Sequence, residues 1–433
     1  MNGEGWSLID NAKYNIEHLK LFIIVSLSFL LDGLLFSLLP LTLYIIDPNE
    51  ASSIFSISLF AFAFGAILLG RIGDYIGRRK TMILSIVIYT LSTIAFLLYH
   101  QGFIVLSIIS SLINLGIGGE IGSAYSALAE LMPKNIRGKI ITLSTNMWNI
   151  GAALLAGLAL IYSEIYTDLS TQINYLILSA IIAVLIVFFA RVHMPESPRW
   201  LIIKGKQEEA NNIASKITKE NVKLQLIEDV GVGIKDAFSK YAFRLIILLV
   251  ITSSQLLTYN MIAYYSPYAP GFVYGYSSIP YITFFANLGA SLGAFILIPL
   301  IDKNRKISTT ISYLGGSIIA LLILTLYSNV SILYFLIAIF VNMIFSEFAW
   351  ASLSTLESEL FPTGIRSSTI GLITFFANFI NALLIYFESY ITAYDFILLA
   401  FLIWLIGLIS AISWHIKGIE SSKKSLNELI IKH

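Results

Sequence analysis

The sequence predicts an all-α membrane protein, twelve transmembrane helices in two pseudo-symmetric six-helix bundles. Three observations carry this: an excess of apolar residues, twelve separate apolar runs of spanning length, and an internal repeat. Hydrophobic residues make up 57% of the 433 and charged residues 12%, with a mean hydropathy of +0.82. A soluble domain carries roughly 45–50% and about 25%, and no soluble core could bury the difference. The chain has no cysteine, which excludes disulfides, zinc fingers and thiol catalysis, and its net charge of +1 offers nothing to a nucleic-acid partner. No nucleophile–base pair, phosphate loop or metal-ligand spacing rises above chance. The expectation is of a protein that is not an enzyme and uses no cofactor or metal.

A bilayer core of about 30 Å needs roughly 20 mostly apolar helical residues, because backbone groups in lipid must be satisfied within the segment. In the first half such runs fall at Leu21–Ile46, Ser52–Gly70, Thr81–Tyr99, Phe103–Met132, Ile140–Tyr162 and Tyr175–Met194. In the second they fall at Leu245–Ser266, Ser277–Ile301, Ile307–Tyr327, Ser331–Leu360, Ser367–Ser389 and Phe396–His415. Residues 1–20 lack the features of a secretory signal and read as a cytoplasmic tail. The division is then an N-terminal bundle at 21–194, a cytoplasmic linker at 195–244, a C-terminal bundle at 245–416 and a cytoplasmic tail at 417–433. Within the linker, Gly205–Ala214 and Lys216–Asp229 read as short charged surface helices, with Gly231 and Gly233 loosening the end.

Orientation follows from Lys and Arg. All 27 fall in the tails and in alternate loops on one side, whereas the opposite loops around Asp47, His100, Asp168, Tyr274, Asn329 and Tyr394 hold none. By the positive-inside rule both termini and the linker face the cytoplasm, in a multi-pass protein of the cell membrane. One misplaced helix would scatter these charges over both faces.

The halves repeat. Glu130-Leu131-Met132-Pro133-Lys134-Asn135-Ile136-Arg137 matches Glu359-Leu360-Phe361-Pro362-Thr363-Gly364-Ile365-Arg366 at an offset of 229, and Asp74 and Asp302, each followed by basic residues, lie 228 apart. Parallel repeats of this kind place a substrate site between the halves near the bilayer midplane.

Gly70-Arg71-Ile72-Gly73-Asp74-Tyr75-Ile76-Gly77-Arg78-Arg79-Lys80 resembles the signature of the major facilitator superfamily between helices 2 and 3. Glycines there allow close approach and a sharp turn, while an acid beside basic residues can break and remake ion pairs as two halves rock. Pro195-Glu196-Ser197-Pro198-Arg199-Trp200-Leu201 resembles the signature after helix 6 in sugar porters and related metabolite and organic-ion symporters. The resemblance implies the major facilitator fold and a cytoplasmic gate built from Gly70, Asp74, Gly77, Arg78, Glu130, Arg137, Glu196, Arg199, Asp302, Glu359 and Arg366. Asp302-Lys303-Asn304-Arg305-Lys306 is one residue short and lacks the glycine, so a weakened second copy is expected. In helix 7, Gln255 through Ser266 resembles the sugar porters' pattern of Gln, Asn and paired Tyr, although Ser254, Thr145 and Ser110 stand where those proteins carry Gln, Gln and Arg. Gly118-Gly119-Glu120 and Asp32-Gly33 resemble metabolite and phosphate symporters instead.

Intramembrane acids are costly, about 2.5–3.5 kcal/mol even on the lenient insertion scale, and are functional candidates by default. Asp32 in helix 1, Glu120 in helix 4 and Glu347 in helix 10 qualify, with no Lys, Arg or His expected inside any span. An unpaired buried carboxylate takes up a proton, so Asp32 is the leading proton-coupling residue, Glu120 the second and Glu347 the third. The alternative is a protonated carboxyl bonded to a neighbouring helix.

Without a cationic side chain in the spans, an anionic substrate is disfavoured. What remains is amide, hydroxyl and aromatic chemistry. Candidate binding residues are Asn146, Trp148 and Asn149 in helix 5, Gln255, Asn260 and Tyr264 in helix 7, Asn287 in helix 8, Trp350 in helix 10 and Asn378 in helix 11. Gln255 and Asn260 should lie about 140° apart around an α-helix and so point differently, whereas Asn260 and Tyr264 share a face. A packing role for these amides is the alternative. The reading is of a monomeric proton-coupled symporter for a small polar metabolite, a sugar or polyol, whose partners are that solute, protons and the lipid bilayer. The alternatives are an organic-acid, organic-cation or drug transporter of the same fold, or a nutrient sensor that binds without transporting.

Overall fold

The computed structural model describes residues 4–225 and 233–431, and among them all regular structure is helical. Twelve helices are long and apolar enough to cross a bilayer. Helices 1 to 6 are Ile16–Ile46, Ala51–Ile76, Arg78–Leu98, Phe103–Leu131, Arg137–Ile165 and Leu169–Arg191. Helices 7 to 12 are Ala242–Tyr268, Tyr276–Ile301, Arg305–Leu326, Ile332–Glu359, Arg366–Glu388 and Ala393–Lys417. Helices 1, 2, 3, 5 and 7 run past their apolar stretches at the basic end, because the backbone ladder continues while the side chains turn charged.

The packing follows a two-fold plan. Helix 2 packs on helix 4 and helix 1 on helix 5, as helix 8 packs on helix 10 and helix 7 on helix 11. The halves meet where helix 2 lies on helix 11 and helix 5 on helix 8, contacts that exchange when each number shifts by six. Helices 6 and 12 are only 33% buried within the bundle and present their sides to lipid, whereas helix 1 is 78% buried and runs through the interior.

Small residues let helices 1 and 5 touch. A Cβ at Gly33 would sit 2.0 Å from the Trp148 carbonyl oxygen, and one at Gly151 would sit 1.9 Å from that of Leu30. In lipid, where no hydrophobic force drives helices together, such close backbone packing supplies the attraction.

Helix 7 changes character along its length. It is α-helical over Ala242–Asn260, widens to a π turn at Met261–Tyr265 and ends in a 3₁₀ turn at Ser266–Tyr268, where Pro267 has no N–H to continue the ladder.

The segment between the halves differs from expectation. One helix, Gln207–Thr218, replaces most of Gly205–Ala214 and runs into the second predicted element, stopping where Lys219 turns left-handed at φ 61°. Residues 219–225 are not helical, and Asp229 and Gly231 lie outside the described residues. Short helices at Pro198–Ile203 and Ile234–Ser239 flank it. The N-terminal tail folds back as well: its helix Glu4–Asp10 buries Trp6 and Ile9 against Trp200, Leu201, Ala210 and Ala214. Both tails and the middle segment thus gather at one end of the bundle.

Gly33→Val should cost about 1–3 kcal/mol by overpacking the seam between helices 1 and 5. The check is a lower melting temperature in detergent than for Gly157→Val in helix 5, where a Cβ would meet nothing closer than the Phe284 ring at 3.5 Å.

Candidate functional site

Three groups of residues occupy the boundary between the halves: a central cavity, an acid cluster beside it, and an ion-pair layer at the basic end.

The cavity lies near the middle of helices 1, 2, 4, 5, 7, 10 and 11. Of the candidate binding residues, Trp148, Asn149, Gln255, Asn260, Trp350 and Asn378 line it, and the proton-coupling candidate Glu347 stands among them. Phe29, Phe36, Phe62, Tyr125 and Tyr259 also line it, and polarity alone did not single them out. Asn146, Asn287 and Tyr264 stand behind this wall. Asn146 donates to the Ser291 carbonyl at 3.2 Å, and Asn287 Oδ1 accepts from the Tyr259 hydroxyl at 2.6 Å.

Helix 7 corrects an expectation from ideal α geometry. Gln255 and Asn260 both reach the cavity, because the helix crosses the interior and exposes a broad arc of its surface to it. Tyr264 does not line it. The π turn instead aligns residues five apart, and the hydroxyls of Tyr259 and Tyr264 meet at 3.2 Å.

Glu347 is buried in the cavity wall, 3% exposed. Its Oε2 accepts from Asn149 Nδ2 at 2.8 Å, while Oε1 has no partner among the described residues.

The acid cluster corrects a second expectation. Helix 6 ends at Arg191, which the sequence reading counted with the basic end and not with the interior, and its guanidinium turns back into the bundle to form a two-pronged ion pair with Glu120. Ser28 and the Met82 carbonyl accept two of its other three hydrogens at 2.9 and 2.8 Å, and Tyr89 donates to Glu120 at 3.3 Å. Glu120 is therefore a paired carboxylate. Asp32, fully buried, stands beside both Glu120 and Arg191, yet neither of its oxygens has a donor among the described residues. It sits three residues after Phe29 and four before Phe36, on the stripe of helix 1 that those cavity residues mark.

At the basic end the repeat is realised atom by atom. Glu130 accepts from Arg78 of its own half at 3.0 Å and from Arg366 of the other at 2.6 Å. Glu359 accepts from Arg305 of its own half and from Arg137 of the other at 3.4 Å. Asp74 pairs with Arg78 at 2.8 Å and takes the Ser368 N–H at 2.8 Å; Asp302 pairs with Arg305 at 3.3 Å and takes the Lys139 N–H at 3.3 Å. The second copy is thus complete despite its missing residue and glycine.

Glu196 caps helix 3 by accepting from the N–H groups of Arg78 and Arg79 at 3.0 and 3.2 Å, which is possible because Gly77 adopts φ 103° and has no Cβ to collide with that carboxylate. Gly70 likewise lets helix 2 approach the Ser367 carbonyl of helix 11, where a Cβ would stand 3.0 Å away. Glu420, in the C-terminal tail, does the same as Glu196 for Arg305 and Lys306, both at 3.2 Å. The second-half counterpart of the Pro-Glu-Ser-Pro motif carries no prolines, which is why it escaped notice.

Asp10 fastens the tails to this layer. It accepts from Arg199 at 3.2 Å, from Arg137 at 3.3 Å and from Ser425 at 2.7 Å. Burial pushes its carboxyl upward, but Arg199 and Arg137 outweigh this and hold it below the ordinary aspartate range.

A family model described as "Sugar (and other) transporter" matches residues 47–430. Among curated relatives, the major myo-inositol transporter IolT of Bacillus subtilis is 27% identical over 346 residues, covering 75% of this chain and 72% of that one. The niacin transporter NiaP of Acinetobacter baylyi is 27% identical over 221 residues, 49% of this chain and 48% of that one. Among solved structures, the major facilitator proton:xylose symporter XylE bound to 6-bromo-6-deoxy-D-glucose superposes with a TM-score of 0.76 at 19% identity, covering 95% of this chain and 98% of that one. The inward-open form of the xylose transporter from E. coli gives 0.68 at 18% identity, covering 95% and 99%.

Docking of the N-terminal helix should depend on pH through Asp10. A carboxylate held below its ordinary value of 3.8 stabilises the docked state above that pH and loses its contribution as pH falls through the lower, docked value. In a variant keeping only Trp6 of the six tryptophans, acrylamide quenching should rise on acidification. Asp10→Asn should show the quenched signal at neutral pH and no acid transition.

Proposed function

Because this chain belongs to the sugar (and other) transporter family of the major facilitator superfamily, membrane transporters and not enzymes, we propose that it carries a small polar metabolite of the sugar or polyol kind together with protons, by alternating access. The basic end, with both tails, is read as cytoplasmic, and the central cavity as the substrate site.

The observation that carries the proton reading is the charge balance around Asp32. Two carboxyls and one guanidinium share a dry pocket, so the ionised cluster holds one surplus negative charge. A proton on Asp32 removes that surplus and supplies the hydrogen for a bond between the two carboxyls. Arg191 gives Glu120 a fixed partner, which leaves Asp32 as the group free to load and unload. Coupling to substrate runs along helix 1, whose Phe29 and Phe36 face the cavity within one turn of Asp32 on either side.

Contacts between the halves stand on both sides of the cavity. At the basic end they are the ion pairs of Glu130 and Glu359. At the opposite end Phe55 packs on Tyr265 and Tyr268, with ring centroids 5.0 and 5.1 Å apart, and Ser52 donates to Glu388 at 3.0 Å. Alternating access releases one set while keeping the other. Among the described residues the cavity lining has no Lys, Arg or His to neutralise an anionic solute, which favours uncharged or positively charged ones.

Asp32→Asn should abolish accumulation driven by an imposed proton gradient in proteoliposomes while retaining exchange of solute at equal concentration. Gradient-driven accumulation by the variant at the native level would sink the assignment. Glu130→Gln removes the carboxylate between Arg78 and Arg366, a loss of about 3–5 kcal/mol for a broken buried pair, and should open the basic end. A single cysteine at Thr363, in a chain with none of its own, should then react faster with an impermeant maleimide from the cytoplasmic side; an unchanged rate would count against the gate.

A further inference from the structure

Two buried polar atoms of the cavity wall, Glu347 Oε1 and Asn260 Oδ1, lack a hydrogen-bond partner among the described residues. Three amides of the wall are turned toward protein: Asn149 Nδ2 points to Glu347, Gln255 Nε2 to Ser346 Oγ at 3.1 Å, and Asn378 Nδ2 to the Thr374 carbonyl at 3.0 Å. The wall thus holds an acid with one oxygen unpartnered.

Charge narrows the class. Glu347 has an amide on one oxygen and nothing on the other, and no basic side chain lines the cavity with it among the described residues. Beside a neutral polyol the buried acid must be met by a proton, and a carboxylate solute would be repelled by its ionised form. An ammonium group, donor-only and positive, meets the ionised form with both charge and hydrogen bonds. The aromatic residues around it, Trp148, Trp350, Tyr125 and Tyr259, favour a cation over an anion through the negative faces of their rings.

We propose that the cavity selects a hydroxylated amine, the chemical class of amino sugars and amino polyols, with its ammonium on the Glu347 carboxylate and a hydroxyl on the Asn260 amide. This rests on the reading of the cavity as the substrate site and gives that site a charge preference. Glu347 is then a specificity residue, separate from the proton-loading Asp32.

The test is binding to the full-length purified protein, followed by tryptophan fluorescence and thermal shift, with glucosamine, N-acetylglucosamine and glucose as one probe series and 1-amino-1-deoxysorbitol and sorbitol as another. In each series the free amine should bind about a hundredfold tighter than its uncharged counterparts, the scale of losing one partner of a buried charge pair. Glu347→Gln should erase that preference and Glu347→Asp should restore part of it, with monodispersity and melting temperature of both variants confirming that they fold. Equal binding of amine and neutral parent, an amine preference that survives Glu347→Gln, or no binding by any amine overturns the inference. Proteoliposome uptake separates it from the broader reading. Proton-driven uptake of a neutral polyol without amine preference refutes the charge selection and leaves transport standing, whereas Glu347-dependent amine binding without any uptake does the reverse.

Discussion

A carboxylate kept from water must be met by a cation, by hydrogen-bond donors or by a proton, and the interior of this protein is arranged around how each of its acids meets that demand. Glu130, Glu359 and Glu120 are met by arginines. Glu196 and Glu420 are met by backbone N–H groups at the starts of helices. Asp32 and the free oxygen of Glu347 are met by nothing that the described residues supply. The first two solutions hold the scaffold together; the third leaves room for something that comes and goes.

The sharing of arginines at the basic end has its own logic. Each glutamate takes one arginine from its own half and one from the other. When the halves part, each carboxylate keeps its own-half partner, so no bare negative charge is left at the helix ends. The arginines that would let go, Arg366 and Arg137, keep partners in their own half: the Phe361 carbonyl and the Thr363 hydroxyl for Arg366, and Asp10 for Arg137. The layer can therefore be strong as a lock and still open without stranding a buried ion.

The helix count, the one-sided charge and the pairing of the repeats were legible because lipid imposes length and hydropathy so strictly. Part of the cavity wall was legible for a similar reason: Trp148, Asn149, Asn260 and Trp350 are polar or aromatic groups in spans that otherwise have no use for them. The role of Arg191 was not, since a charge at the end of an apolar run reads as facing water, and only tertiary structure shows its side chain folding inward. Glu420 was hidden because the feature it shares with Glu196 is a backbone contact and not a sequence pattern. Asp10 belongs with these, as its partners come from three distant segments. The contacts within helix 7 were misjudged because ideal α geometry holds only up to Asn260.

That widened turn, Met261–Tyr265, has a mechanical meaning. A π turn holds one residue more than the α pitch accommodates, so tightening it would twist everything beyond it by about 100°. At its end and just beyond it stand Tyr265 and Tyr268, the rings pressed on Phe55. Helix 7 thus carries a built-in swivel: its lower length can stay anchored beneath the cavity while its tip screws aside, with the spare residue as the slack that lets it turn.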